Sequence, residues 1–486
     1  MRAILGVAAA VCVVAAVSAC GDSGSDGGSG GSGGSGAVTD GGSGGGGNAS
    51  GSGGTGNASG SGGAAGAGGG GNTGGAAGGG GAGGSGGTGG MPSLDCAPLP
   101  APTGATVTVK NTEAGSLPQT VMNAAPGTTI LLEDGTYKIT STLQLGKSGV
   151  TLRSVSNDAT KVTIDGTYTV NELIAISASD VTVAHVTLTH AVDHPIHVYP
   201  PGAGVDVKNT LVYGVRLMDS GEQFLKVNPT AGQTGYIDEG RVECSEFIMT
   251  NAGRPHVESC CGGCYTGGID VHAGWKWVVR NNRFEGIYCD GAGLAEHAIH
   301  FWKGSRDTLV ENNVIVNCAR GIGFGLTNGT GERVYPDNPY GGQKLAHYDG
   351  IIRNNVIWNT IPYYDTGIEL DIAKKPIVVH NTVVSSSAAS GFFSSIDYRY
   401  PETDAVIQNN LTRKITQRDS AQGTVDHNLE STPQSYFTDP SAVDFHLTAG
   451  AANAIDKGVS VPQAGVDMDG EAHDVNAPDL GADERQ

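Results

Sequence analysis

The chain has 486 residues, of which 80 are glycine, and a formal net charge of −20 at pH 7. Because the nucleic-acid backbone is itself negative, this charge argues against DNA or RNA as a partner. A polyanionic substrate would need local basic residues or bound cations that offset the same charge.

Residues 1–19 have the pattern of a secretory signal. Arg2 gives a positive start, and the apolar run 4–17 is shorter than the roughly 20 residues that span a membrane. The run ends in Val17-Ser18-Ala19-Cys20, which resembles the lipobox of bacterial lipoproteins. This resemblance implies cleavage before Cys20, acylation of its thiol, and an exported protein anchored by lipid to a bacterial membrane, with the outer membrane or cell surface favoured. The alternative is an ordinary signal peptide with an unrelated cysteine.

Residues 20–94 consist mainly of glycine and serine. Such a segment has no apolar surface to offset its chain entropy, so we expect a disordered tether. A flexible coil of about 70 residues has ends roughly 40–50 Å apart on average. The folded domain is therefore predicted over residues 95–486, held away from the membrane.

The predicted domain is longer than the roughly 250–300 residues at which a single globular core stops growing. It repeats a short β-branched strand, a turn with an asparagine, and a second short strand with alternating apolar residues. Recurrence of this kind, without a helical period between strands, predicts a solenoid of β-strands. Stacked coils would bring the asparagines together as a hydrogen-bonded ladder. The turns are Lys208-Asn209-Thr210, Asn281-Asn282-Arg283, Asn312-Asn313-Val314, Asn354-Asn355-Val356, His380-Asn381-Thr382, Asn409-Asn410-Leu411 and His427-Asn428-Leu429.

A helix is predicted at the N-terminal end of the solenoid. Ser116 is a suitable N-cap, and Pro118 fits the first turn of a helix that runs to about Ala125. This helix would cover the open sheet edge at that end.

Segments at both ends resemble a known superfamily. Residues 126–137, 444–447 and 478–483 resemble the opening and closing stretches of pectin-lyase-like proteins, and the resemblance covers most of residues 105–486. It implies an all-β fold, a right-handed parallel β-helix. Because this superfamily includes lyases, hydrolases, epimerases and adhesins, the resemblance leaves the reaction open.

Nine cysteines are present. Cys12 leaves with the signal and Cys20 is acylated, so seven remain, and an exported protein is expected to form disulfides. An odd number leaves one thiol without an internal partner. The cluster Cys260, Cys261 and Cys264 lacks the second Cys-x-x-Cys of a zinc site, which favours disulfides that pin an inserted loop.

One strand from each coil can be aligned by its apolar residues. Alternation directs one set of side chains into the core. That set is Ile196, Val198, Leu225, Val227, Ile269, Val271, Ile299, Phe301, Ile322, Phe324, Ile368 and Leu370. The other set forms two outward columns. The first column is His197, Lys226, Asp270, His300, Gly323, Glu369 and Ser395; the second is Tyr199, Asn228, His272, Trp302, Gly325, Asp371 and Asp397.

The outward columns predict an active site for an acidic polysaccharide. Cleavage by β-elimination needs a base for the C5 proton, a group that neutralises the uronate carboxylate, and an acid for the leaving oxygen. Lys226 is the expected base, because cationic neighbours would lower its pKa. His300 and His272 are competing bases. The predicted neutralising residues are Arg306 and Lys303, or a Ca²⁺ ion held by Asp270, Glu369 or Asp371.

Further polar and aromatic residues are expected to contact the sugar. Gly323 and Gly325 leave a recess beside Trp302, whose face suits the C–H face of a sugar ring. His297, three residues before His300, is expected on the opposite face of the strand, which disfavours a shared metal. The predicted substrate-binding residues are His197, Tyr199, Asn228, Trp302, Lys303 and Arg320.

The groove resembles that of the alginate lyase and chondroitinase B family. The segment Gly221–Asn228 resembles the Lys-bearing strand of that family, with Lys226 at the matching position, whereas Asp270 stands where the family has arginine. The resemblance implies a lyase, often with Ca²⁺. We therefore expect a monomeric, polysaccharide-active β-helix protein that cleaves by elimination.

Two other functions stay open. A glycoside hydrolase or epimerase could use Asp371 with Asp397, or Glu369 with Asp371, since either pair of carboxyls fits glycosidase spacings. A glycan-binding or adhesin-like surface protein would need the groove but no chemistry, and the long tether suits it as well.

Overall fold

Short parallel strands dominate the computed structural model, which describes residues 96–486 except 260–262, 292, 327–331, 338 and 387–393. These residues lie in one unit, 88–486. The predictions for the signal, for Cys20, for the tether and for the Cys260–Cys261 pair fall outside the described residues. Among the described helices, none is long and apolar enough to span a bilayer.

The strands stack into three parallel sheets, which the chain visits in the same order ten times among the described residues. We call each such passage a coil and number the coils 1 to 10 from the N-terminus. Parallel strands joined in this way form a right-handed parallel β-helix, as predicted. The prediction of fold class is therefore confirmed.

The bounds of the strands follow the coil order. Sheet 1 contains Thr106–Val109 before coil 1, then Thr129–Leu132, Thr151–Ser154, Thr182–Ala184, Leu211–Tyr213, Arg241–Glu243, Val278–Arg280, Leu309–Glu311, Ile351–Arg353, Ala373–Val379 and Asp404–Gln408, and ends with Gln422–Asp426. Sheet 2 contains Gly135–Lys138, Val162–Asp165, Thr187–Thr189, Arg216–Met218, Glu246–Ile248, Arg283–Glu285, Val314–Val316, Val356–Asn359, Thr382–Ser385 and Leu411–Thr412. Sheet 3 contains Leu143–Leu145, Glu172–Ile176, His194–Val198, Leu225–Val227, Ile269–His272, His297–Trp302, Arg320–Gly325, Thr366–Asp371, Ser394–Arg399 and Ile415–Gln417.

A few strands lie outside this pattern. Val207–Lys208 pairs with Ile237–Asp238, while Ser305–Arg306 and His347–Tyr348 extend sheet 1. Near the C-terminus, Phe437–Asp439 and Asp444–Leu447 form an antiparallel pair. The helices are Leu117–Asn123 and Arg254–Ser259, and the 3₁₀ turns are Asn111–Ser116, Pro339–Gly342, Gln434–Tyr436 and Pro440–Ala442.

The core lies between the three sheets and is continuous along the solenoid. All twelve apolar residues predicted to point inward on sheet 3 have no exposed surface. Equivalent positions of adjacent coils lie in register, so each coil buries its apolar residues against the next one. The alternation of apolar residues in the sequence thus identified the inward face of sheet 3 correctly.

An asparagine ladder runs along the turns between sheets 1 and 2. Asn282 donates through Nδ2 to Oδ1 of Asn313 at 2.9 Å, and the same bond of 2.9–3.0 Å repeats through Asn355, Asn381, Asn410 and Asn428. The ladder predicted from the sequence is therefore confirmed for six turns.

The first predicted turn does not contribute to this ladder. There Asn209 has a φ of 58° and donates to Asp180, so it occupies the left-handed position that precedes the ladder residue. Thr210 stands at the ladder position and is buried. The prediction of seven stacked asparagines was wrong at this turn, because asparagine is favoured at the left-handed position as well.

The ends of the solenoid are covered. The N-terminal helix, Leu117–Asn123, buries Leu117 and Val121 against the core. Ser116 does not cap it with its side chain, since Ser116 Oγ donates to the Glu113 carbonyl in the preceding 3₁₀ turn. Near the other end, Phe445, Leu447 and the closing segment around Leu480 pack with outward apolar residues of sheet 2 such as Trp358.

Two disulfides join described cysteines. Cys96 pairs with Cys244. Cys264 pairs with Cys289, which joins the insertions that follow the sheet 2 strands of coils 5 and 6. Cys318 is buried and outside any disulfide. The expectation of a loop pinned by a disulfide is thus confirmed for Cys264.

Candidate functional site

The outer face of sheet 3 carries the predicted columns in the predicted register over coils 3 to 8. His197, Lys226, Asp270, His300, Gly323 and Glu369 are successive partners of neighbouring strands. In the second column, His272 pairs with Trp302 and Gly325 with Asp371.

The predicted register is wrong at coil 9. Asp397, not Ser395, pairs with Glu369, and Arg399 pairs with Asp371. The error is a shift of two residues, which leaves the outward face unchanged, so apolar alternation cannot detect it. It arises because Tyr398, an amphipathic residue, fills the second inward position of this strand.

Lys226 lies at the centre of a cluster on coils 4 to 6. Its Nζ forms a short ion pair with Asp270 and lies 3.3 Å from the Tyr265 hydroxyl and 3.4 Å from Nε2 of His272. Trp302 donates from Nε1 to the other oxygen of Asp270 at 2.7 Å. We call these five residues the Lys226 cluster. Lysine, carboxylate, imidazole, phenol and indole thus meet within one site.

The charge of Lys226 differs from the prediction. Burial alone would lower the pKa of Lys226, but the Asp270 carboxylate and then Tyr265 outweigh it and raise that pKa above its ordinary value. Burial would likewise raise the pKa of Asp270, yet Lys226 and His272 hold it well below its usual range. The predicted lowering of the lysine pKa was wrong, because Asp270 is closer to Lys226 than any cation.

His272 is the neutral base of the cluster. Burial and the charge of Lys226 lower its pKa to about 4. Asn228 donates from Nδ2 to Nδ1 of His272 at 3.1 Å and accepts at Oδ1 from Nε2 of His197 at 3.0 Å. Nδ1 of His197 lies 2.6 Å from Glu172, and its ring lies edge-on to Tyr199 with centroids 4.9 Å apart. These contacts form a continuous polar row from coil 2 to coil 5.

Trp302 links the cluster to the next coil. Its ring stacks on His300 with centroids 5.3 Å apart, and Lys303 Nζ lies 4.7 Å from the Trp302 ring centroid. His300 donates from Nε2 to the Gly325 carbonyl at 3.0 Å, and burial together with His297 lowers its pKa to about 4. Lys303 therefore lies beside Trp302, next to the Lys226 cluster.

The predicted recess at Gly323 is filled by a histidine. A Cβ on Gly323 would come within 2.7 Å of Nε2 of His297. This ring crosses coil 7 at the glycine, and Nε2 donates to Glu369 on coil 8 at 2.9 Å. The prediction that His297 and His300 point to opposite faces was wrong: their ring centroids are 4.5 Å apart. His297 is the first residue of its strand, and Gly323 has no side chain to block its ring, so the ring can reach the outer face.

A group of carboxyls occupies coils 8 and 9. Burial would raise the pKa of Glu369, but the bond from His297 and the nearby Arg320 lower it to about 2. Burial and Glu369 raise the pKa of Asp371 well above its usual range. Burial also raises the pKa of Asp397 to about 6, although Arg418 donates to this carboxylate. Arg320 donates to Asp365 at 2.9 Å, and its Nε lies 4.0 Å from Glu369, so it contacts this part of the outward column.

The three predicted Ca²⁺ ligands do not form one ligand set. Asp270 on coil 5 and Glu369 on coil 8 are separated by two intervening coils, or about 14 Å at the usual spacing of strands. Each is already paired, Asp270 with Lys226 and Glu369 with His297. Glu369 and Asp371 share a strand and are the closer pair.

Arg306 does not belong to the groove. It lies in the strand Ser305–Arg306 beside sheet 1, where it donates to both oxygens of Asp337 at 2.8 Å. Asp307 and Asp349 are also within 4.0 Å of it. Its predicted role beside Lys226 was wrong, because the chain turns at Lys303–Gly304 before reaching Arg306.

Sequence reasoning missed several residues of this face. Tyr265 lies on an insertion, and its neighbour Cys264 in a disulfide was the signal that this loop is held against the scaffold. Glu172 belongs to coil 2, one coil before the aligned set. Arg418 follows the last strand of sheet 3, where no alternation marks it.

No protein-family model and no curated protein matches this chain. Several solved structures do. Pectate lyase Pel9A matches with a TM-score of 0.46 and 15% identity over 79% of this chain and 97% of its own. An alginate lyase from Paenibacillus sp. matches with a TM-score of 0.43 and 14% identity over 67% of this chain and 99% of its own. A polygalacturonase from Erwinia carotovora matches with a TM-score of 0.34 and 11% identity over 70% of this chain and 97% of its own. These structures are similar to this chain only at low identity, and the parallel β-helix is established by the stacked sheets described above.

Proposed function

We propose that the protein acts on an acidic polysaccharide along the outer face of sheet 3, as a lyase that cleaves by β-elimination. The observation that carries this proposal is the Lys226 cluster, in which a cation, a neutral imidazole, a phenol and an indole meet on one face. Coils about 4.8 Å apart repeat these polar side chains in a line, which suits an extended chain of sugar rings.

Each group has a role in this reaction. Lys226, kept protonated by Asp270, would neutralise the uronate carboxylate and so acidify the C5 proton. His272, neutral near pH 7, would take that proton at Nδ1, displacing the hydrogen bond from Asn228.

The bond changes balance without a further reactant. The C5–H electron pair forms the C4=C5 double bond, and the C4–O bond breaks. Tyr265 would give its hydroxyl proton to the leaving oxygen, since its oxygen accepts from Lys226 and burial raises the pKa of Tyr265, which keeps the hydroxyl protonated. Trp302 would hold the neighbouring ring through its apolar face.

Turnover on a panel of uronic-acid polysaccharides tests the proposal. The absorbance of 4,5-unsaturated uronates would be followed with and without Ca²⁺, because a Ca²⁺ ion is the alternative to Lys226 for neutralising the uronate carboxylate. We expect a rising signal that Tyr265→Phe and His272→Gln reduce at least tenfold. Tyr335→Phe is the matched control. Tyr335 also lies on an insertion and its hydroxyl donates to the Gly304 carbonyl, but it is not part of the Lys226 cluster.

A non-catalytic glycan-binding protein is the second candidate. It is favoured because the polar groups of the cluster already bond to one another, Lys226 with Tyr265 and Trp302 with Asp270. A flat absorbance trace with folded protein, together with retardation on the same polysaccharides in affinity electrophoresis, would establish this function instead.

We also propose the lipid anchor at Cys20 and a location at the outer membrane or cell surface. The lipobox-like sequence and the Gly/Ser-rich tether support it. Labelled fatty acid should be incorporated by the wild-type chain and not by Cys20→Ala. Incorporation by that variant would contradict the anchor.

A further inference from the structure

Three potential metal ligands converge beside the Lys226 cluster. Glu296, His297 and His300 each offer a ligand atom, and these atoms lie within 4.8 Å of one another. Donors of a tetrahedral zinc ion lie roughly 3.4 Å apart, given bonds of about 2.1 Å. Glu296 is half-buried and precedes the strand, so its side chain is the least enclosed of the three.

His297 has an unused nitrogen. Its Nε2 donates to the Glu369 carboxylate at 2.9 Å, which places the lone pair on Nδ1. That Nδ1 is buried and has no hydrogen-bond partner, in a side chain that is only 1% exposed. Buried polar atoms usually have a partner, so this bare lone pair, next to the donors of Glu296 and His300, is available to a ligand.

His300 is held in the same tautomer. Its Nε2 lies 3.0 Å from the carbonyl oxygen of Gly325, which can only accept, so Nε2 carries the proton and Nδ1 is the lone pair. Gly325 has a φ of +86°, and a Cβ there would come within 1.8 Å of the Asp371 carbonyl, so this carbonyl position depends on glycine.

We propose that Glu296, His297 and His300 bind a divalent transition-metal ion, with Zn²⁺ as the expected occupant. Two imidazoles and one carboxylate suit zinc and leave a fourth position open, whereas Ca²⁺ prefers oxygen ligands alone. Glu369 and the Gly325 carbonyl would be the outer partners that orient metal-bound histidines. The ion would border the Lys226 cluster, since Nδ1 of His300 lies 3.7 Å from Asp270. The inference stands independently of the proposed reaction.

The same molecule contains a cluster that serves as a control. His446, Asp469 and Asp483 also lie close enough to hold an ion. However, Nδ1 of His446 contacts Asp444 at 2.6 Å and Nε2 contacts Asp469 at 2.8 Å. Both nitrogens must donate to these carboxylates, so His446 has no lone pair for a metal.

Metal binding by the purified full-length chain tests the proposal. After chelator treatment, the protein would be dialysed against ZnCl₂ and its zinc measured by mass spectrometry; CoCl₂ would give a visible spectrum. We expect one equivalent of zinc and cobalt d–d bands without sulfur charge transfer. Glu296→Gln and His300→Asn should each weaken zinc binding at least tenfold, while His446→Gln changes it less than twofold.

Three results would overturn the proposal. They are no zinc retained by the folded wild-type chain, zinc retained equally by Glu296→Gln and His300→Asn, or a cobalt spectrum with sulfur charge-transfer bands, which would place the ion on cysteines. Because Glu296 is half-exposed and unlike the core residues, Glu296→Gln keeps the test valid if His300→Asn fails to fold.

Discussion

Two polar stacks run along the same solenoid, and they are built in opposite ways. In the turns between sheets 1 and 2, six identical asparagines bond to one another at 2.9–3.0 Å from coil to coil. On the outer face of sheet 3, the residue type changes at every coil, from histidine to lysine, aspartate, histidine, glycine and glutamate.

The difference separates scaffold from chemistry. A repeated amide satisfies its neighbour wherever the coil spacing is kept, so it needs nothing from outside. A varied column must pair charges locally, as Lys226 does with Asp270, and it leaves single atoms such as Nδ1 of His297 without a partner. Together with the converging donors of Glu296 and His300, the unmatched nitrogen of His297 points to a ligand on this face.

The largest expected effect comes from breaking the charge pair. Lys226→Met leaves Asp270 buried without a counter-charge and should lower the free energy of unfolding by about 4 kcal/mol. Urea denaturation measures it. The double variant Lys226→Met/Asp270→Leu should recover most of that loss, because no charge then remains buried. Equal instability of the single and double variants would show that the pair is not the cause.

A substitution in the middle of the asparagine ladder should lower the free energy of unfolding almost as much as Lys226→Met does. Asn355→Ala leaves buried groups of Asn313 and Asn381 without partners and should cost about 3 kcal/mol. Asn428 ends the ladder and is partly exposed, so Asn428→Ala should cost only about 1 kcal/mol by the same measurement. Similar losses at both positions would argue against a cooperative ladder.

A smaller effect is expected from filling the space at Gly323. Gly323→Ala places a methyl group within 2.7 Å of His297 and should destabilise the fold by about 1–2 kcal/mol while weakening zinc binding. Gly202→Ala is the matched control, since nothing lies within 4 Å of a Cβ there. Thermal denaturation and zinc uptake should change for the first variant alone.

The smallest effect is a pH dependence at His446, which belongs to neither stack. Its hydrogen bond to Asp469, opposed by burial and aided by Asp444, raises the pKa of His446 from 6.5 to about 10. Because the folded pKa is the higher one, this stabilisation is complete below pH 6.5 and disappears as the pH rises through 10. In the wild-type chain the melting temperature should therefore fall between pH 6.5 and 10, and in His446→Gln this fall should be smaller. The same fall in both chains would refute the ion pairs of His446.

Much of the fold was predictable because it depends on alternation and repetition. The inward residues of sheet 3 and the ladder from Asn282 onward follow from spacing within short segments. The column alignment even placed Asp270 beside Lys226. What it did not give is the charge state, which follows from their direct contact in a buried setting rather than from their order in the column.

The remaining errors involve positions that spacing does not determine. Asp397 was displaced by two residues, a shift that preserves alternation. His297 reaches the outer face only because Gly323, 26 residues later, has no side chain. Arg306 follows a turn that carries it to another sheet. Each depends on a contact between coils, which no local pattern encodes.

Binding of a uronate oligosaccharide to two tryptophan variants tests the central claim most directly, that the ligand lies on the outer face of sheet 3. Trp302 and Trp275 each donate an indole N–H to an aspartate, Asp270 and Asp307, but only Trp302 lies on that face. By calorimetric titration, Trp302→Phe should weaken binding at least tenfold and Trp275→Phe less than twofold. Equal affinity of both variants and the wild-type chain would place the ligand elsewhere.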